Sequence, residues 1–347
     1  MELAAKELGS AKRTATATAT IASRETANAV LLEGEAEEAR KRVLNQIWPD
    51  QESLGEEILS MEEIKRDLHF YRGHLARKHA ESEFDAREMA DLADGEAIVV
   101  CDWKMKILSS FHRENSKRWY GKSGTSCLGF MVITNSETPG QKNAMFFFPF
   151  TDDGCQDNWS VATGKMIMYA ELMPVYFPEV YTSRYRSDGA GCFSSNLSRA
   201  LQVMWGVWTA VTEKSCRMSI SGGGKSQLDG RFAFMNMKME KGMNSGVSHW
   251  NAETTMDALL AGRPLQASVC AVWAPVRPEE TPQTLAKDLQ QFHHSELVMT
   301  GDRVTGFRCF ILSGYGKGRV IKYDAGAAPA VARPAQPLAT VVDLSKN

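Results

Sequence analysis

Several absences in this sequence are informative. No apolar run approaches the roughly 20 residues that a membrane-spanning helix needs; the longest candidate, AMFFFPF at 144–150, is only strand-length. The first residues, MELAAKELGSAKR, have neither the basic start nor the apolar core of a secretory signal. Charge of one sign is not in excess: the formal net charge is −2 over 347 residues. No strong overall field therefore draws the chain to nucleic acid, and such a role needs local basic patches or affinity supplied by another chain or segment. Seven cysteines, at 101, 127, 155, 192, 216, 270 and 309, are odd in number and widely spaced, with no C-x-x-C pair. That excludes the usual zinc and redox motifs and reads as reduced, mostly buried thiols in an intracellular protein without a membrane role. There is no G-x-S-x-G elbow, and His249, His293 and His294 have no evident nucleophile to serve.

What is present is an ordinary globular composition, 43% apolar and 24% charged, in a chain long enough for a sizeable core and about two domains. Residues 1–30 contain TATATAT (14–20), which buries little and reads as a disordered lead. Residues 31–94 read as a helical N-terminal region. EGEAEEARKRVLNQI (33–47) carries acids early and bases late, as a helix dipole favours. A second helix starts at Ser60, where Ser60 and Glu63 form a capping-box pattern and Ile64, Leu68, Tyr71 and Leu75 make one apolar face. His69, His74 and His79 turn by about 140° from one to the next and cannot share a face as metal ligands. The Ala/Pro-rich stretch AGAAPAVARPAQPLATVV (325–342) predicts a disordered tail, 325–347.

Between these ends the periodicity changes. EAIVVCDWKMKIL (96–108), LGFMVIT (128–134) and NAMFFFPF (143–150) read as strands, the last two joined by a hairpin. A helix over 158–177, a strand SRYRSD (183–188), a helix capped by Ser194 or Ser195, a strand CRMSIS (216–221) and a helix QLDGRFAFMNMKM (227–239) follow. The order is β-β-β-α-β-α-β-α. Further on, ETTMDALLAG (253–262) predicts a helix, ASVCAVWAPV (267–276) a strand and TPQTLAKDLQQF (281–292) a helix.

Three acids stand out against this pattern. Asp102 shares its strand face with Ile98 and Val100, so its carboxylate springs from apolar surroundings. It needs an Arg or Lys partner, a shifted pKa or a cation; Lys104 and Lys106 lie on the same face and keep a plain ion pair open. Asp188 ends a strand and enters Gly189-Ala190-Gly191, as a turn Asp or a ligand at a strand's carboxyl end. Asp229 lies in a helix's first turn, where the dipole alone could explain it. If the first and fourth strands are neighbours, the three meet. A cluster of carboxylates raises its own pKa values unless a cation is present, and hard oxygen ligands suit Mg²⁺ or Mn²⁺. Asp152, Asp153 and Asp157 form a second acidic group, read as a solvated loop or as a substitute source of ligands.

SISGGGKSQLDG (219–230) has almost the grammar of a P-loop, but Ser219 stands where G-x-x-x-x-G-K-[ST] requires glycine. A nucleotide site using Lys225 and Ser226 stays open, as does a plain flexible loop with a solvated Lys225.

The contexts VVCDWKMKIL, YRSDGAGCF and GGGKSQLDGRFA resemble the three acid blocks of eukaryotic cut-and-paste transposases of the DDE/D type, over roughly residues 95–240. The resemblance implies an α/β fold: a ribonuclease H-like mixed sheet flanked by helices, in a catalytic domain with a C-terminal extension over 95–324. It implies cleavage of DNA phosphodiester bonds and strand transfer with two Mg²⁺ or Mn²⁺ ions, Asp102 bridging both and Asp188 and Asp229 holding one each. Lys225, Arg184 and Arg186 become candidate phosphate contacts, and Arg118-Trp119-Tyr120-Gly121-Lys122 suits an unpaired base or an ordinary surface hairpin. Nuclear localisation and a homo-oligomer are further implications. No zinc finger or helix-turn-helix accompanies the acids, so a catalytically inactive, transposon-derived binding module is the alternative.

Overall fold

The computed structural model describes residues 61–110, 124–219, 227–261, 265–274, 291–301, 303–313, 315–322 and 340–344, together with Glu37 and Glu38. The expected helix at 33–47 and the helix at 281–292 lie almost wholly outside them, as do the Arg118–Lys122 segment and the lead 1–30. The chain divides into two compact units, Met1–Arg72 and Gly73–Asn347, and the second carries the sheet.

Helix α1 (Met61–Ala90) crosses that boundary. Its expected apolar face is not a packed one: Tyr71 and Leu75 are 58% and 46% exposed. Burial starts later, where Ala80, Glu81 and Glu88 turn inward. Helical spacing alone marks a face, and whether a sheet lies under it is decided by elements far away in sequence.

A meander follows: β1 (Glu96–Leu108), β2 (Gly124–Asn135) and β3 (Lys142–Thr151), successive strands antiparallel. Asp157 then caps α2 (Asn158–Ile167), its carboxylate accepting from the Ser160 amide at 2.7 Å. The helix runs through a π-turn, Met168–Leu172, into the short α3 (Met173–Tyr176). Next come β4 (Thr182–Ser187), α4 (Asn196–Trp208) capped by Ser195, β5 (Thr212–Met218) and α5 (Gln227–Asn244). α6 (Ala252–Leu260) starts at a capping box between Asn251 and Thr254. β6 (Ser268–Val272), β7 (His294–Thr300), β8 (Arg303–Phe310), β9 (Arg319–Lys322) and β10 (Thr340–Asp343) complete one ten-stranded mixed sheet, in the order β10-β6-β3-β2-β1-β4-β5-β7-β8-β9. The fold is mixed α/β. The expected β-β-β-α-β-α-β-α series is observed, and β4 pairs parallel with both β1 and β5.

Two corrections concern the C-terminal part. The expected disordered tail contains β10, which pairs antiparallel with β6. β7, β8 and β9 extend the sheet beyond β5, where no strands were expected.

Alternation of side chains sorts β1 onto two cores. Ala97, Val99 and Cys101 pack with Leu128, Phe130 and residues of α2 and α4. Ile98 and the partly buried Val100 face Phe148, Leu228, Phe232 and Met256, under α5 and α6. Each fully buried large apolar side chain contributes about 1.5–3 kcal/mol. Asp102 belongs to the second face by parity.

Candidate acidic site

The sheet brings Asp102 and Asp188 to one level. Parallel register matches Val100 with Arg186 and Cys101 with Ser187, where β4 ends. The next residue on each chain is the acid. β1 runs on to Leu108 after β4 has stopped, which opens the sheet beside Asp102 at the carboxyl ends of β4 and β5, where α/β folds hold ligands. The Asp188 carboxylate accepts from the Ala190 amide at 3.0 Å, an Asx-type turn that fixes it at the strand's end.

Asp229 arrives from the other side of the chain. It lies in the first turn of α5, whose Leu228 and Phe232 sit over Gly129 of β2. Gly129 is the antiparallel partner of Asp102. The start of α5 therefore lies over the strand pair that carries Asp102.

Electrostatics records the meeting. The Asp102 carboxyl is pushed from 3.8 up to about 7, first by burial, then by the negative charge of Asp188; the Trp103 amide, donating at 2.8 Å, opposes the rise, and Asp229 adds to it. Each of the other acids thus acts on the one between them. Among the described residues, however, no three His, Cys, Asp or Glu side chains are gathered tightly enough to hold a metal ion. The acids are electrostatic neighbours, not a closed ligand set.

Other expected participants are placed differently. Arg184 pairs with Glu96, which also takes Lys214 at 3.0 Å. Arg186 is buried and held by Glu88 at 2.6 Å and Asp85 at 3.2 Å, beside Arg217, which pairs with the same two acids. Both guanidiniums answer carboxylates within the fold, so neither is carried forward as a phosphate contact. In a strand, residues two and four before an acid share its face but lie about 7 and 13 Å back along the chain, at about 3.3 Å per residue.

Lys225, Ser226 and the glycines 222–224 lie outside the described residues. The loop's point of departure is described: the Ser219 amide donates to the Ser187 carbonyl at 2.8 Å, beside the Asp188 turn. Asp152 accepts from the Thr125 hydroxyl at 3.0 Å and from the Ala252 amide at 2.7 Å, and Asp157 caps α2. Of the second acidic group, Asp152 thus ties elements together and Asp157 caps a helix. Lys104 is buried with its pKa lowered by desolvation, and no ion pair links it to Asp102.

The residue missed in the sequence is Gly129. Its signal was a lone glycine inside the apolar run LGFMVIT, where glycine marks a close approach of another element.

Comparison with known proteins returned no matching family model, no matching curated protein and no matching solved structure. Among the described residues no helix is long and apolar enough to cross a membrane. The geometry and its chemistry carry the functional argument.

Proposed function

We propose that this chain cleaves and joins DNA phosphodiester bonds with divalent cations, on a ribonuclease H-like sheet similar to that of DDE/D transposases. The observation that carries the reading is the parallel register of β1 and β4, which sets Asp102 and Asp188 at one level; the Asp102 carboxyl, raised to about 7 by burial and by Asp188 and Asp229, agrees with it. Two acids, one of them more than a hundred residues away in sequence, thus come within electrostatic reach of Asp102. Carboxylates so arranged resist ionising together unless cations balance them. The adjacency of β1 and β4, with β4 and β5 running parallel to β1, is the neighbour relation the three acids needed in order to meet, and it supports the reading.

The donor chemistry fits Mg²⁺ or Mn²⁺: oxygen ligands only, of a kind these hard cations take. Asp102, Asp188 and Asp229 are the residues to hold them, and the ions' contribution is charge stabilisation of the attacking and leaving oxygens. The protein's own part is placement. β1 and β4 fix two carboxylates at one level, and α5 supplies the third from its N-terminal turn, where the helix dipole favours the ionised form. The half-buried setting of Asp102 excludes part of the competing water and strengthens its hold on a cation. Without metal, the Asp102 carboxyl is largely protonated below about pH 7, so a cation would have to displace that proton and its affinity should rise with pH.

The test is nicking of supercoiled DNA by the purified chain. Cleavage that requires Mg²⁺ or Mn²⁺ and disappears with Asp102→Ala supports the proposal; cleavage without added metal, or surviving that substitution, contradicts it.

A second reading has its own observation. The ligand set is not closed among the described residues, and Arg184 and Arg186 are internally paired. Both suit a transposon-derived module that binds nucleic acid or protein without cutting. DNA binding that is indifferent to metal, with no nicking, favours it.

A further inference from the structure

We infer that Gly129 is a positioning residue for the acidic site: the space left by its missing side chain lets the start of α5 settle on β2 and bring Asp229 to Asp102. Gly129 pairs directly with Asp102 across β1 and β2. A Cβ at position 129 would lie 2.5 Å from Phe232 Cζ, 2.7 Å from Phe232 Cε1 and 3.0 Å from Leu228 Cδ1. Carbon atoms prefer separations of about 3.5–4.0 Å, so any side chain at 129 collides with the Phe232 ring and crowds Leu228.

Leu228 and Phe232 are four residues apart and share one face of α5. They are 0% and 7% exposed and belong to the core beneath the helix. The Phe232 ring also packs against Phe148 of β3, with centroids 6.0 Å apart, which leaves it little room to turn aside. Relief therefore comes through the helix, and Asp229 follows Leu228 directly. A methyl group on β2 is transmitted to the third acid through two core contacts without touching any of the three carboxylates. The mechanical part of this inference rests on contacts alone; its consequence for a cation rests on the functional reading above.

The test uses the full chain and Mn²⁺ as probe, with free Mn²⁺ followed by electron paramagnetic resonance. Gly129→Ala is expected to weaken Mn²⁺ binding about tenfold or more, as loss of a supporting contact does at metal sites. Asp229→Ala weakens it as well, and Gly129→Ala adds nothing once Asp229 is gone, because both changes act through the same ligand. Phe232→Leu, which removes the two nearest ring atoms, restores binding to the Gly129→Ala chain. Unchanged affinity in Gly129→Ala, or a loss that adds in full to that of Asp229→Ala, overturns the inference.

A wild-type chain that binds no Mn²⁺ defeats the cation reading and leaves the mechanical part to hydrogen exchange. Faster exchange over residues 231–236 in Gly129→Ala, reversed by Phe232→Leu, sustains it; unchanged exchange overturns it. If Gly129→Ala does not fold, recovery of folding by Phe232→Leu sustains the contact, and no recovery overturns it.

Discussion

Asp102, inside β1, and Asp188, just past the end of β4, stand at the same level on adjacent parallel strands, each one residue beyond the registered pair Cys101 and Ser187. Parallel strands present matched residues on the same face, so the two carboxylates are held as neighbours by backbone hydrogen bonds that neither side chain makes. Such an arrangement is unfavourable for the fold by itself and makes sense where a cation is to be received.

The first prediction concerns the cost of that arrangement. The folded chain holds the Asp102 proton up to about pH 7, whereas the ordinary carboxyl releases it near 3.8. Between those values the folded state binds more protons than the unfolded state, so stability falls as pH rises and the penalty is complete above about 7. Asp102→Asn therefore stabilises the metal-free protein by roughly 1–2 kcal/mol near pH 8, a figure discounted for solvent screening, and by little near pH 4. Urea denaturation at the two pH values checks it.

His294 should give the opposite slope. Burial first, then Arg217, Arg199 and Arg186, lower its pKa from 6.5 to about 3. The folded chain keeps the ring neutral while the unfolded chain takes up a proton, so stability is lost as pH falls from about 6.5 towards 3. The ring lies between Phe84, edge-on at 5.4 Å, and Phe310, stacked at 5.2 Å. His294→Phe should therefore be accommodated and remove about 2 kcal/mol of acid sensitivity by pH 5, read from denaturation curves across that range.

Lys165 and Glu213 form an ion pair at 2.8 Å with side chains 2% and 0% exposed, Glu213 also accepting from the Tyr169 hydroxyl at 3.2 Å. Removing one partner strands the other charge in the core. Glu213→Ala should cost about 3–5 kcal/mol, whereas replacing both partners with apolar residues should cost much less. Thermal denaturation of the single and double variants separates the outcomes.

Arg186 and Lys225 should differ in kind. Arg186→Ala leaves Glu88 without its closest partner in a buried cluster and should lower stability by about 3 kcal/mol or more. Lys225→Ala should leave the melting temperature alone and weaken DNA binding, reducing its salt slope by about one. Melting curves beside a salt titration of binding distinguish the two roles.

Much of this was legible in the sequence, for reasons that can be named. β1 was readable to its end residues because a β-branched run is bounded by Gly95 and followed by polar residues, and the cap of α4 was readable as Ser194 or Ser195, of which Ser195 serves. The adjacency of β1 and β4 entered only as the condition for the three acids to meet, and the parallel pairing supplies it. The hairpin of β7 and β8 was missed although Gly301-Asp302 between two β-rich runs is a turn signal; Gly301 has φ of 59°. β10 was missed because the short TVVD stands beside an Ala/Pro-rich stretch, and only β6 makes it a strand. In the site, Asp102, Asp188 and Asp229 could be picked out because each sat oddly in its local pattern. The ties of Arg184 and Arg186 could not, since Glu88 and Glu96 precede them by nearly a hundred residues. Gly129 went unnoticed because its partner, Phe232, is equally remote.

The most direct measurement is Mn²⁺ binding near pH 8 to the wild-type chain and to Asp102→Ala, Asp188→Ala and Asp229→Ala separately. If the three acids serve one site, the wild type binds and each substitution weakens binding by about tenfold or more. Binding that survives the loss of Asp188 or Asp229 undiminished, or a wild type that binds none, contradicts the account.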